Sequence, residues 1–310
     1  MPSGRESEKP KVVEHLYAEN EAGNIPDGIV TSNHISTAID ATGAALSKSN
    51  PANFLKDIIR NDNANANWPD SLKVKRITAR QRYGARRVFQ FVPYQEGQTE
   101  PFPDRLFPGL RTQVHPVQAA SISFVARRLG RTEETWLTQI AVNLRLIETQ
   151  LSIFSPLRER VRDVAHLQMG MKTQPEIDAV FLASYGEDKT LQSPTSLYML
   201  ISCEAKQIAQ RILEDQIREQ VAKAMSITTA IETPKIDAVK PIAIKVVEYD
   251  FGGIMEKAIY VVEFAHITRE VFDSEWASSR DDEEKLYAMP LECVSDTVYR
   301  IMPRIGGLNS

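Results

Sequence analysis

The chain has 310 residues, 42% of them hydrophobic and 25% charged, with a formal net charge of −4. That length suits about two domains with an ordinary apolar core. The charge balance excludes a globally basic nucleic-acid binder, so any such contact has to come from a local patch. Cys203 and Cys293 give neither a disulfide framework nor a zinc spacing. The five histidines show no HxxxH or HxH pattern, which argues against a histidine-built metal site. No window approaches the ~18 apolar residues of a membrane span, and the first ten residues lack the apolar core of a signal peptide. A cytoplasmic protein without a membrane partner is expected.

Residues 1–27 are polar with scattered Pro and Gly and read as an N-terminal arm, with room for a short helix around Val12–Glu19. Thr31-Ser32-Asn33 offers helix caps. Apolar residues at helical spacing, Ile35, Ala38, Ile39, Ala45 and Leu46, then predict a helix over His34–Leu46. A second helix is expected over Ala52–Arg60, followed by an Asn/Ala loop to Asn67. From Lys73 to Tyr94, β-branched and aromatic residues flank Gly84 and predict a hairpin. Between Ser71 and Gln95 lie seven basic residues, Lys73, Lys75, Arg76, Arg80, Arg82, Arg86 and Arg87, and no acidic one. Such a set could neutralise phosphates, and its arginines could read guanine in a major groove. Helices followed by a basic hairpin resemble a winged helix-turn-helix DNA-binding domain, here spanning 28–100. The Pro- and Gly-containing stretch that follows predicts a linker over 101–115, ahead of a second domain over 116–310.

In that second domain a short helix is expected over Pro116–Ser123 and a longer one over Thr132–Ser152, with acid in its first turn. Two apolar runs within Glu176–Lys206 flank a polar loop and predict a long hairpin. An amphipathic helix over Gln207–Met225 follows, with Glu214–Arg218 and Glu219–Lys223 as solvated i,i+4 pairs. Then come strands over Ile242–Tyr249 and Ala258–Ala265, and a short helix near Ser295–Met302. Asp281–Lys285 is a solvated charge run. The whole reads as a mixed α/β fold with a central mixed sheet flanked by helices.

Asp178 begins the first run of the long hairpin, and Glu204 and Lys206 end the second. Strand alternation puts Glu204 and Lys206 on one face and Cys203 and Ala205 on the other. Charges beside an apolar sheet need partners or a metal. Two carboxylates suit Mg²⁺, and a nearby lysine can hold or polarise a water.

Asp178, a gap, and Glu204-Ala205-Lys206 resemble the signature of the PD-(D/E)xK nuclease superfamily, over roughly residues 140–265. Glu-Ile-Asp stands where that family's name suggests Pro-Asp. The resemblance implies Mg²⁺ held by Asp178 and Glu204, with Lys206 beside the attacked phosphate. It also implies a helix-borne glutamate near the metal, for which Glu148 is the candidate and Glu159 the runner-up. Gln207, next to the signature lysine, is a candidate polar helper. Gln168 and Lys172 are read as a polar surface turn that could reach the DNA backbone. Glu187-Asp188-Lys189 repeats the Glu-x-Lys pattern inside turn residues and is read as a solvated loop. Together the two resemblances imply a homodimeric type II restriction endonuclease cutting double-stranded DNA. The alternatives are a DNA-binding regulator with a non-catalytic nuclease-like domain, and a repair or modification-dependent nuclease.

Overall fold

The computed structural model describes residues 8–59, 63–82, 84, 86–104, 106–173, 175–186, 197–231, 234–276 and 283–308. The chain divides into two compact units. The first is Met1–Arg105 with Ala209–Arg211, and the second is Leu106–Ile208 with Ile212–Ser310.

In the first unit, the stretch read as an arm holds helix α1, Lys9–Glu21. Pro10 suits its first turn, and Val12, Val13 and Leu16 bury one side of it. Strand β1, Ile29–Thr31, follows, then α2, Ser32–Thr42, α3, Phe54–Ile59, and α4, Asp70–Val74. Thr31 caps α2 by accepting from the His34 N–H at 3.3 Å. Gly43 ends that helix with a left-handed φ of 65°, the usual helix stop. Strands β2, Ile77–Gln81, and β3, Arg87–Pro93, complete a three-stranded antiparallel sheet in the order β1-β3-β2. The hairpin is therefore shorter than the sequence predicts. Lys73 lies on α4 and Lys75 caps it. Trp68 is buried, donates to the Ile77 carbonyl at 2.9 Å, and packs edge-on to Phe102.

The second unit is built on an eight-stranded mixed sheet flanked by helices. Strand β4, Gln113–Gln118, lies where linker and helix were expected. It is an edge strand, where Pro116 is tolerated because its missing N–H breaks no interior ladder. A short α5, Phe124–Leu129, leads to α6, Glu134–Asn143, and α7, Leu146–Thr149. The single helix predicted over Thr132–Ser152 is broken because Arg145 takes a left-handed φ of 54°; a π-helical turn over Gln150–Phe154 follows.

Strands β5, Val161–Met171, β6, Ile177–Tyr185, and β7, Leu197–Lys206, form an antiparallel meander. Helix α8, Glu214–Thr228, then crosses to β8, Ala238–Asp250, which runs parallel to β7. Residues 207–213 precede α8 instead of joining it, because Leu213 is extended and two acids, Glu214 and Asp215, open the first turn. Beyond lie β9, Met255–Phe264, β10, Ile267–Thr268, α9, Arg269–Val271, α10, Glu283–Tyr287, and β11, Cys293–Met302. The last of these replaces the predicted helix near Ser295–Met302. Its β-branched and aromatic run Thr297-Val298-Tyr299 suits a strand, and it lies between β9 and β4.

The sheet order is β4-β11-β9-β8-β7-β6-β5, with β10 against β8. One face packs on α6 and α7 through Leu137, Ile140, Ile147, Phe181, Cys203, Ala205 and Ile244. The other packs on α8 through Val221, Met225, Val180, Leu200 and Val239, and through Ile212, Ile217, Ala243 and Tyr260. Among the described residues no helix is long and apolar enough to cross a membrane.

Candidate active site

Pairing of Ala179 with Cys203 sets β6 against β7 and brings the adjoining Asp178 and Glu204 to the same end of the hairpin. The Asp178 carboxylate accepts from the Ala205 N–H at 2.7 Å. Glu204, only 1% exposed, accepts from Lys206 and from the Gln216 amide, 2.6 Å away, at Oε1, and from Gln220 at Oε2. The Lys206 ammonium also donates to the Ala205 carbonyl at 3.2 Å and lies 3.5 Å from Glu134. Asp178, Glu204 and Lys206 thus meet at one sheet end, and Glu134, the first residue of α6, joins them.

Electrostatics follow from that crowding. Burial, then the neighbouring Glu204 charge, push the Asp178 pKa up to about 8, against the pull of Lys206. Burial alone would lower the Lys206 pKa, but Glu204, Glu134 and Asp178 together raise it, so Lys206 stays charged. Burial, with Asp178 and Glu204 behind it, raises the Cys203 thiol well above its ordinary value; a buried thiol of that kind is inert.

Three carboxyl groups therefore face one ammonium, with Asp178 pushed toward its protonated form. Such an imbalance, with hard oxygen donors, fits a divalent cation of the Mg²⁺ type. Among the described residues no group of three His, Cys, Asp or Glu is placed to hold a metal ion. An ion here would rest on Asp178, Glu204 and water, the usual coordination of Mg²⁺.

The other predicted residues fall elsewhere. Glu148, on α7, pairs with Arg145 at 3.5 Å and has a buried Oε2 with no hydrogen-bond partner. Glu159 pairs with Arg158 on the surface. The helix-borne carboxylate beside Lys206 is Glu134 instead. Gln207 donates to the Glu133 carbonyl at 2.8 Å, bracing the start of α6. Gln168 and Lys172 are exposed, on β5 and just beyond it. Glu187-Asp188-Lys189 lies outside the described residues.

Of the basic set, Lys73 pairs with Asp70 and Lys75 with Glu21. Arg80 and Arg82 are 7% and 3% exposed, and Arg82 donates to Gln90 at 3.0 Å. Arg76 donates to the Gln98 carbonyl at 2.8 Å and lies over Tyr94. Arg86 is exposed in the hairpin turn with a φ of 63°, and Arg87 is half-buried.

Sequence reasoning missed Glu134, Gln216 and Gln220. Glu134 looked like a first-turn acid suited to the helix dipole. The two glutamines stand four apart on α8, a same-face spacing that alone says nothing of a carboxylate. Comparison of the chain with protein-family models, curated proteins and solved structures gives no match.

Proposed function

We propose that the chain is a Mg²⁺-dependent endonuclease of the PD-(D/E)xK kind that hydrolyses phosphodiester bonds in double-stranded DNA at specific sites, as a homodimeric type II restriction enzyme does. The observation that carries the reading is the meeting of Asp178, Glu204 and Lys206, distant in sequence, at one end of β6 and β7.

Asp178 and Glu204 would hold the ion. Bound Mg²⁺ supplies a water of lowered pKa and stabilises charge on the phosphate. Lys206, fixed between Glu204 and Glu134, remains an ammonium. It acts as a charge and hydrogen-bond donor to the phosphate oxygens, where negative charge builds up, and orients the attacking water. Burial of Glu204 and Lys206 keeps these interactions strong by limiting solvent screening.

The first unit would contribute DNA contacts. Its element order, with the sheet order β1-β3-β2 and a turn carrying Arg86, supports a winged-helix reading in which Arg86, Arg87 and Arg76 meet phosphates.

The test is incubation of the purified protein with DNA of known sequence in Mg²⁺ or EDTA. Discrete fragments in Mg²⁺ alone are expected. Lys206→Ala should abolish cutting and keep DNA binding. Smeared products would make the enzyme a repair-type nuclease, and intact DNA across a broad substrate panel would sink the nuclease reading.

A further inference from the structure

We infer that Gln220, with Gln216 one turn before it, is a positioning residue that locks the carboxylates of Asp178 and Glu204 into one arrangement; this rests on the nuclease reading of the same site. Gln220 is 1% exposed on α8. Its amide nitrogen donates to the Glu176 carbonyl, at the entry to β6, at 2.7 Å and to Glu204 Oε2. An amide NH₂ carries two hydrogens, so this one group ties the strand bearing Asp178 to the carboxylate on the next strand. Gln216 holds the other Glu204 oxygen. Around them α8 is committed to packing, with Ile217, Val221, Ala224 and Met225 buried. Arg218, Glu219 and Thr228 are buried on α8 as well, but only the two amides donate to Glu204.

The choice of an amide has a physical consequence. Lys206 already sets one positive charge against Glu204; a lysine or arginine at 216 or 220 would add a second, whereas the neutral amides orient the carboxylate without one. Groups that orient metal-holding carboxylates typically change metal affinity or activity 10–100-fold when removed.

The experiment compares Gln220→Met and Gln216→Met, similar in length and without donors, with wild type. Mg²⁺ affinity is read by titration calorimetry without DNA, single-turnover cleavage in parallel, and DNA affinity in EDTA. For Gln220→Met, Mg²⁺ binding 10–100-fold weaker and a comparable fall in cleavage rate are expected, with DNA affinity unchanged. Gln216→Met should lose less, because Lys206 still donates to the same oxygen. If Gln220→Met does not fold, Gln220→Asn, too short to span both acceptors, takes its place. Hydrogen exchange at the Ala205 amide, which Asp178 holds, is read alongside and should quicken at least tenfold in the folded variant. Wild-type Mg²⁺ affinity and unchanged Ala205 exchange in Gln220→Met would overturn the inference. A wild-type protein that cuts no DNA would instead overturn the nuclease reading, and Ala205 exchange would still decide on Gln220.

Discussion

Replacing Lys240 by Met should destabilise the second unit by about 3–5 kcal/mol, the usual cost of orphaning one member of a buried ion pair. Lys240 on β8 and Glu263 on β9 are 1% and 0% exposed, with Nζ 2.7 Å from Oε1. At that distance their attraction is about 6 kcal/mol in an effective dielectric of ~20. Desolvation of both ions offsets most of it, and burial does lower the Lys240 pKa against the opposing pull of Glu263. The pair is therefore worth little net, while a lone Glu263 is costly. Ser155 at 2.5 Å and Gln150 at 3.5 Å would be its remaining donors.

Urea unfolding followed by circular dichroism measures the loss. With a slope of ~2–3 kcal/mol per molar, the midpoint should fall by about 1–2 M. Adding Glu263→Gln should recover most of the deficit at pH 8. A Lys240→Met midpoint equal to wild type, or no recovery in the double variant, would refute this account.

Glu134→Gln should slow single-turnover cleavage about 10–100-fold with DNA affinity unchanged, because it removes a carboxylate beside Lys206 and touches nothing in the β2–β3 hairpin. Arg86→Ala and Arg87→Ala should each reduce the slope of log affinity against log salt by about 1, as read by DNA-binding titrations across salt. Arg82→Ala should leave that slope alone and lower the thermal midpoint, since Arg82 is spent on Gln90. Gly307→Ala should destabilise by at least ~1–3 kcal/mol in the same urea assay. Its φ is 76°, and an added Cβ would lie 2.3 Å from the Arg131 backbone.

Local signals carried much of the mixed α/β reading. The hairpin strands at 177–185 and 197–206 and those after α8 were legible because short apolar runs bounded by turn residues and rich in β-branched and aromatic side chains fit a strand buried on both faces. β4 and β11 were not: Gln113–Gln118 is a strand through its parallel pairing with β11, across ~180 residues of chain, and Cys293–Met302 through lying between β9 and β4. A single left-handed residue, Arg145, broke a helix whose apolar periodicity continues past it. The buried face of α1 was hidden too: Val12, Val13 and Leu16 are few, and burial alone reveals them.

The site divides the same way, and strand register explains the division. β6 and β7 are apolar on both faces. Phe181, Ile201, Cys203 and Ala205 belong to the α6 side, and Val180 and Leu200 to the α8 side. A slip of one residue would exchange these sets and drive Glu204 into the packing of Leu137 and Ile140, away from Gln216 and Gln220. The apolar residues that carry no chemistry therefore specify which carboxylate meets Asp178, and they can be read from sequence as two continuous apolar runs. Glu134 and the two glutamines reach the site from helices, whose rotation and axial placement depend on tertiary packing alone. Their approach to Glu204 and Lys206 is a consequence of the assembled core, and a one-dimensional pattern does not encode it.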